Sequence, residues 1–234
     1  MVQFVNKTQI EHLVGTKIKN LDLYQKAFTH KSALKEYEQF TESFETLEFI
    51  GDSVLGFVIT KFLFDRYESR QEGFLTKART KLVRGETLAT IAKYLGLERL
   101  VIMDEKGMRN NWNTNPKILE DVFEALVGAI YMDIGLIHAK EFILRIYQNP
   151  DIVNMESIMI DDNFKDHLMR HCQTNNWQLP EYRVSGYHEG LFYIDIFIHN
   201  QFASRGVAKS KKQAEQNAAR SYFEILEQLK TYNY

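Results

Sequence analysis

Cysteine, proline and long apolar runs are all scarce in these 234 residues, and neither sign of charge dominates. Each shortage excludes something. The one cysteine, Cys172, leaves no intrachain disulfide and suits a reducing compartment, so the sequence reads as intracellular, in the cytoplasm rather than the nucleus. The longest apolar run, VLGFVITKFLF, is interrupted by Lys61 and is too short to span a bilayer. The opening MVQFVNKTQIEHL has no apolar signal-peptide core, and no membrane partner is expected. A net charge of -2 weighs mildly against a nucleic-acid partner, although a whole-chain sum can hide a local basic patch. Hydrophobic residues make up 44% of the chain, enough for a packed core and too many for global disorder.

What is present divides into two styles. From about Thr8 to Tyr147, apolar residues recur three and four apart, which predicts helices. Leu75, Ala78, Leu82, Leu88, Ile91, Ala92 and Leu95 trace one such pattern, with Gly96 as its stop. Polar RNNWNTNPK, Arg109 to Lys117, reads as a loop, with helix resuming at Ile118. Pro150 and the Asn, Asp and Ser around it mark a boundary. Beyond it, a helix from Phe164 to Gln173 precedes an alternating stretch, LFYIDIFIHN. There Phe192, Ile194, Ile196 and Ile198 face one way, and Tyr193, Asp195, Phe197 and His199 the other. YRVSGY and QFASRGVA read as neighbouring strands or turns, and Lys211 to Leu229 as a last helix. The tail is therefore α-β-β-β-α. No internal repeat or low-complexity segment is found.

The chemistry lies in acids placed where a core is expected. Glu48 and Asp52 are four apart and share one helix face, about 6 Å apart along the axis. Asp121 and Glu124, three apart, repeat the pattern inside ILEDVFEALVGAIY. Four acids on two packed helices would repel one another unless a cation sat between them. Oxygen-only ligands favour Mg²⁺ or Mn²⁺ over zinc. Such a site suits metal-assisted phosphodiester hydrolysis. Solvated or lysine-paired acids are the plain alternative. A diiron bundle is another, but neither Glu48 nor Glu124 has the histidine three residues on that such a bundle uses.

ETLEFIGDSVL closely resembles the signature of the ribonuclease III family. So do KAFTHKSA, EGFLTKARTKLV, LATIAKYLGL and ILEDVFEALVGAIYMDIG, in the family's order and across nearly all of the first 145 residues. The resemblance implies an all-helical endonuclease domain over 1–147, a linker over 148–160, and a small α+β domain over 161–234. It assigns metal binding and catalysis to Glu48, Asp52, Asp121 and Glu124, with Mg²⁺ as cofactor and Mn²⁺ as substitute. It implies a homodimer that cuts both strands of double-stranded RNA, leaving 5′ phosphates and short 3′ overhangs. In such proteins the aromatic matching Phe49 plugs a socket on the partner subunit. Acids matching Glu45 and Glu72 lie near the site or the interface. Thr29 and His30 match a further motif and are assigned packing and hydrogen bonding rather than catalysis. Departures are Phe44, where the family has a small amide, Glu120, where it has a small residue, and Thr80, where serine is usual.

The tail carries Arg205, Lys209, Lys211 and Lys212 within eight residues, just before the last helix. Helix N-termini attract phosphate, and lysines there add charge without reading bases. Nine basic and nine acidic residues from Asp161 onward cancel, so the positive charge is a patch. The element order with SKKQAEQNAA resembles the double-stranded-RNA-binding domain. By that resemblance Lys211, Lys212 and Lys209 meet phosphates, His188 reaches one minor groove, and Lys165 and His167 touch another. Gly186 stands where the family has proline, and Ala208 where it has glycine. A protein that sequesters double-stranded RNA with little or no cleavage is the competing reading. Intact acids favour the enzyme.

Overall fold

The computed structural model describes residues 4–155 and 163–231, the side chains of 230 and 231 excepted. Part of the expected linker, 156–160, lies outside the described residues, as do 161 and 162. The chain forms two compact units that divide between residues 159 and 160. No helix among the described residues is long and apolar enough to cross a membrane.

The first unit is helical: α1 (Lys7–Val14), α2 (Leu21–Ala27), α3 (Glu45–Arg66), α4 (Glu72–Leu82), α5 (Gly85–Tyr94), α6 (Glu105–Arg109), α7 (Pro116–Ile134) and α8 (Leu136–Tyr147). Local chemistry sets several boundaries. Asn6, Asn20 and Asn115 cap α1, α2 and α7, their side chains accepting from the N–H of Thr8, Asp22 and Lys117. Pro116 occupies the first turn of α7, where its missing N–H costs nothing, so this helix starts ahead of the expected Ile118. The expected loop before it holds the end of α6 and a 3₁₀ turn, Trp112–Thr114. The apolar pattern over 75–95 belongs to two helices, broken at Val83 and Arg84. Past Tyr147 the chain still contributes to this core, with Val153 buried and Ile152 and Met155 packed on it.

Helix α7 is the axle of the unit, with every residue from Val122 to Ile130 buried. Helix α3 crosses it at almost bare backbone. A Cβ on Gly51 would lie 1.8 Å from the Glu124 carbonyl oxygen, and one on Gly128 2.1 Å from that of Leu47. At the far end of α7, Asp133 accepts from the N–H of Lys19 and Asn20 and from the Tyr24 hydroxyl, at 2.9, 2.9 and 3.0 Å. That clip ties the start of α2 to the axle.

The second unit is α9 (Phe164–Thr174), β1 (Glu181–His188), β2 (Leu191–Ile198), β3 (Gln201–Ala208) and α10 (Lys211–Thr231), an antiparallel sheet of order β1-β2-β3 with two helices. Ile196 and Ile198 pack with Leu168, Cys172, Ala218, Ala219 and Tyr222, as the alternation implied. Strand β2 ends at Ile198. His199 and Asn200 form the turn, both at positive φ (51° and 61°), the two-residue geometry that suits the sheet's twist. Asp195 faces away from that core yet is 7% exposed, because Arg205 on β3 grips both its oxygens at 2.6 and 2.9 Å. That grip holds its carboxyl below the usual range. Helix α10 rides close over Gly206, where a Cβ would lie 2.1 Å from the Ala214 carbonyl.

Candidate active site and RNA-facing surface

Burial is what makes the acids of α3 and α7 unusual. Glu124 is 7% exposed, and Glu48 and Asp121 are half-buried. These three each bring a carboxylate oxygen within 4.8 Å of one another. The Gly51–Gly128 crossing explains the approach, because it puts Leu47 and Glu48 directly against the turn that carries Glu124. Asp52, the fourth acid expected here, is exposed and falls outside that cluster. It is near enough for its charge to act on Glu124. Burial first, then Asp52, Glu120 and Glu48, push the Glu124 carboxyl up to about 8. Glu48 is raised too, by burial and then by Asp121.

Two residues complete this electrostatic arrangement. Lys117, at the end of the expected loop, is one that sequence reasoning misses. It sits four residues before Asp121, and its Nζ lies 2.7 Å from Asp121 Oδ1 and 3.4 Å from Glu120 Oε2. Asp121 in turn holds the ammonium well above its ordinary pKa. The i, i+4 spacing from Lys117 to Asp121 was the available signal. Glu120 turns to α5, where its carboxylate fills the space a Cβ on Gly85 would need. Carboxylates are favoured at such a helix start.

Three crowded carboxylates, one of them buried and pushed up to about 8, fit a hard divalent cation. An all-oxygen donor set suits such an ion, and its charge would relieve their mutual repulsion. Glu48, Asp121 and Glu124 would hold it, with Asp52 alongside.

The remaining expected residues spread out. Glu45 is exposed and accepts from Lys31 at 3.2 Å, a bond that lowers its pKa. Glu72 opens α4 and accepts from the Thr76 hydroxyl, in a crevice shared with Phe64 and Arg79. Phe49 is 78% exposed, and with Phe57 and Phe64, each 60% exposed, it forms an apolar stripe along α3. Thr29 is buried and donates to the Gln25 carbonyl, and His30 packs against Phe44, in keeping with packing roles.

In the second unit, Lys209, Lys211 and Lys212 are exposed around the start of α10, where Ser210 accepts from the Gln213 N–H. His188 is exposed at the end of β1, its ring folded beside Gly186, where a Cβ would lie 3.1 Å from Nε2. Lys165 is engaged elsewhere, its ammonium on Glu215 and 4.7 Å from the Tyr182 ring. His167 is half-buried between Phe164 and Phe223.

Comparison with known proteins agrees with this geometry. The ribonuclease-III-like family profile matches residues 20–150, and the double-stranded RNA binding motif matches residues 164–226. The chain is 37% identical over 229 residues to ribonuclease 3 of Chlorobium luteolum, covering 95% of this chain and 82% of that one. It is 43% identical over 218 residues to a putative protein of Paramecium bursaria Chlorella virus 1, covering 92% and 77%. The nuclease domain of ribonuclease III from Campylobacter jejuni superposes with a TM-score of 0.56 at 35% identity, covering 62% of this chain and 98% of that one. The chain belongs to the ribonuclease III family.

Proposed function

We propose that this double-stranded-RNA endoribonuclease works with Mg²⁺ held by Glu48, Asp52, Asp121 and Glu124, as a homodimer whose two sites each cut one strand. The observation that carries the metal reading is the convergence of Glu48, Asp121 and Glu124, each with a carboxylate oxygen within 4.8 Å of the others. A divalent ion held there would supply Lewis-acid stabilisation of charge building on the phosphodiester. The chain's own part is to hold that charge in place. The carboxylates fix the ion's position, and Lys117 offsets the excess negative charge. Glu120, anchored at the start of α5, keeps Lys117 over Asp121.

The α3 stripe of Phe49, Phe57 and Phe64 supports the dimer, since exposed apolar rows mark association surfaces. The Campylobacter nuclease domain is itself described as flexible in a region involved in dimer formation. Short 3′ overhangs follow from two sites offset across a duplex, and 5′ phosphates from attack of water on phosphorus with the 3′ oxygen as leaving group. Incubation with a long RNA duplex should yield such fragments with Mg²⁺ and none after chelation, and sedimentation should show twice the chain mass. Equal cutting in excess chelator would defeat the metal reading, and a single-chain mass would defeat the dimer.

Phosphate binding by the second unit is carried by Lys209, Lys211 and Lys212. Changing Lys211 and Lys212 together to alanine should weaken duplex binding and lower the slope of log K against log salt by about 2. Anisotropy titrations at several salt concentrations would measure it. An unchanged slope would take both lysines off the RNA.

A further inference from the structure

Neither the acid cluster nor the lysine patch accounts for the way Thr29, His30 and Lys31 hold the start of α3. They do so at three points. The Thr29 carbonyl accepts from the Phe44 N–H at 2.9 Å. The His30 ring lies against the Phe44 ring, centroids 5.8 Å apart, and Lys31 donates to Glu45 at 3.2 Å. Phe44 is the N-cap residue of α3, and its side chain has no acceptor for the helix's free N–H groups, so the helix start is held from outside. Phe44 is also one of this chain's departures from the ribonuclease III signature, which makes the ring-on-ring contact its own.

The ring is fixed in turn. The Ser32 N–H donates to His30 Nδ1 at 3.2 Å, and the Ser32 hydroxyl lies 2.9 Å from the same nitrogen. An Nδ1 that accepts from an N–H carries no proton, so the ring is neutral with its hydrogen on Nε2. Burial and then Lys31 lower its pKa and keep it so, against the pull of Asp104, Glu45 and Asp121. Ser32 Oγ also accepts from the Asp104 N–H at 3.1 Å, and the His30 N–H donates to the Ile102 carbonyl at 2.8 Å. The segment ahead of α6 therefore anchors the ring. From Phe44 the path to the acids is one helical turn, because its carbonyl accepts from the N–H of both Leu47 and Glu48 at 2.9 Å. We propose that His30 is a positioning residue for Glu48. Its ring, locked by Ser32 and bearing on Phe44, sets where the first turn of α3 lies and so how Glu48 meets Asp121 and Glu124. The inference rests on those acids being the cutting site.

The test uses the full chain, well below its melting temperature. H30A should cut duplex RNA with kcat lowered about thirtyfold, the scale of a misplacement under 1 Å, and with KM within about twofold. Half-maximal activity should need about tenfold more Mg²⁺. H30N keeps an acceptor for Ser32 but lacks the ring, and should match H30A, so the expectation stands even where H30A fails to fold. H30F restores a ring against Phe44 and cannot move a proton, and should return kcat to within about threefold of wild type. H30A and F44L combined should lose little more than H30A alone, because both act through one contact. Wild-type kcat in H30A and H30N, an H30F as slow as H30A, or losses that multiply in the double variant would overturn the proposal. Hydrogen exchange gives a readout without cleavage. The Leu47 and Glu48 amides should exchange about tenfold faster in H30A, and those in the middle of α7 should not. Cleavage by E124Q would sink only the acid-site reading, whereas unchanged exchange would sink the hold of His30 on α3.

Discussion

Glu124→Gln is expected to cut duplex RNA about a thousandfold more slowly than the wild type, the scale set by losing several kcal/mol of transition-state stabilisation. Duplex affinity should stay within about twofold, because phosphate contacts supply it and Glu124 makes none. The substitution keeps the side chain's shape and removes one ligand charge from a cluster confined within 4.8 Å. It carries a second, opposite effect. The folded carboxyl sits near 8, against an ordinary 4.5. Its protonated form is therefore favoured by folding, and stability is lost as pH rises from about 4.5 through 8. A neutral glutamine avoids that loss. Without metal, the variant should be more stable than the wild type above pH 8, on the order of a few kcal/mol, and the gap should shrink towards pH 5. Calorimetry of both proteins with chelator at pH 5 and 8.5 would show it. A variant that cleaves normally, or one less stable than the wild type at pH 8.5, would remove Glu124 from the metal site.

Gly128→Ala is expected to be among the most damaging single-methyl changes in the first unit. The new Cβ would meet the Leu47 carbonyl oxygen at 2.1 Å, its carbon at 3.0 Å and Ile50 Cγ2 at 3.1 Å. Backbone cannot step aside as a flexible side chain can, so α3 must lift from α7. Overpacking of this kind costs about 3 kcal/mol, or roughly 6–12 °C of melting temperature for a chain this size. The lift also separates Glu48 from Glu124, and a misplacement near 1 Å costs about a hundredfold in rate. Gly51→Ala should behave alike, its Cβ 1.8 Å from the Glu124 carbonyl. Gly56→Ala, on the same helix with nothing within 4 Å, should instead be neutral or stabilising by about 0.5–1 kcal/mol. If melting and cleavage were alike for Gly128→Ala and Gly56→Ala, the close crossing would be wrong.

Much of this was legible in one dimension. Helix periodicity located the first unit, and alternation in β2 located the sheet, because side-chain period follows backbone geometry. Acids in apolar runs flagged the site, since an unpaired buried charge is too costly to be incidental. A near-neutral total charge pointed the wrong way about nucleic acid, because nine acids in the tail cancel nine bases that are unevenly placed. His199 continued the alternation on paper, yet forms a turn with Asn200, where chain reversal overrides pattern.

What the sequence by itself determined was therefore local: which stretches are helix or strand, which acids share a face, where lysines gather at a helix start. Only the tertiary structure decided which acids meet, that Asp52 stands apart, that Lys117 closes on Asp121, and that Lys165 is spent on Glu215. Periodicity describes the faces of one helix at a time. The distance between two helices is set by what their surfaces leave bare, here two glycines 77 residues apart that let one backbone rest on the other.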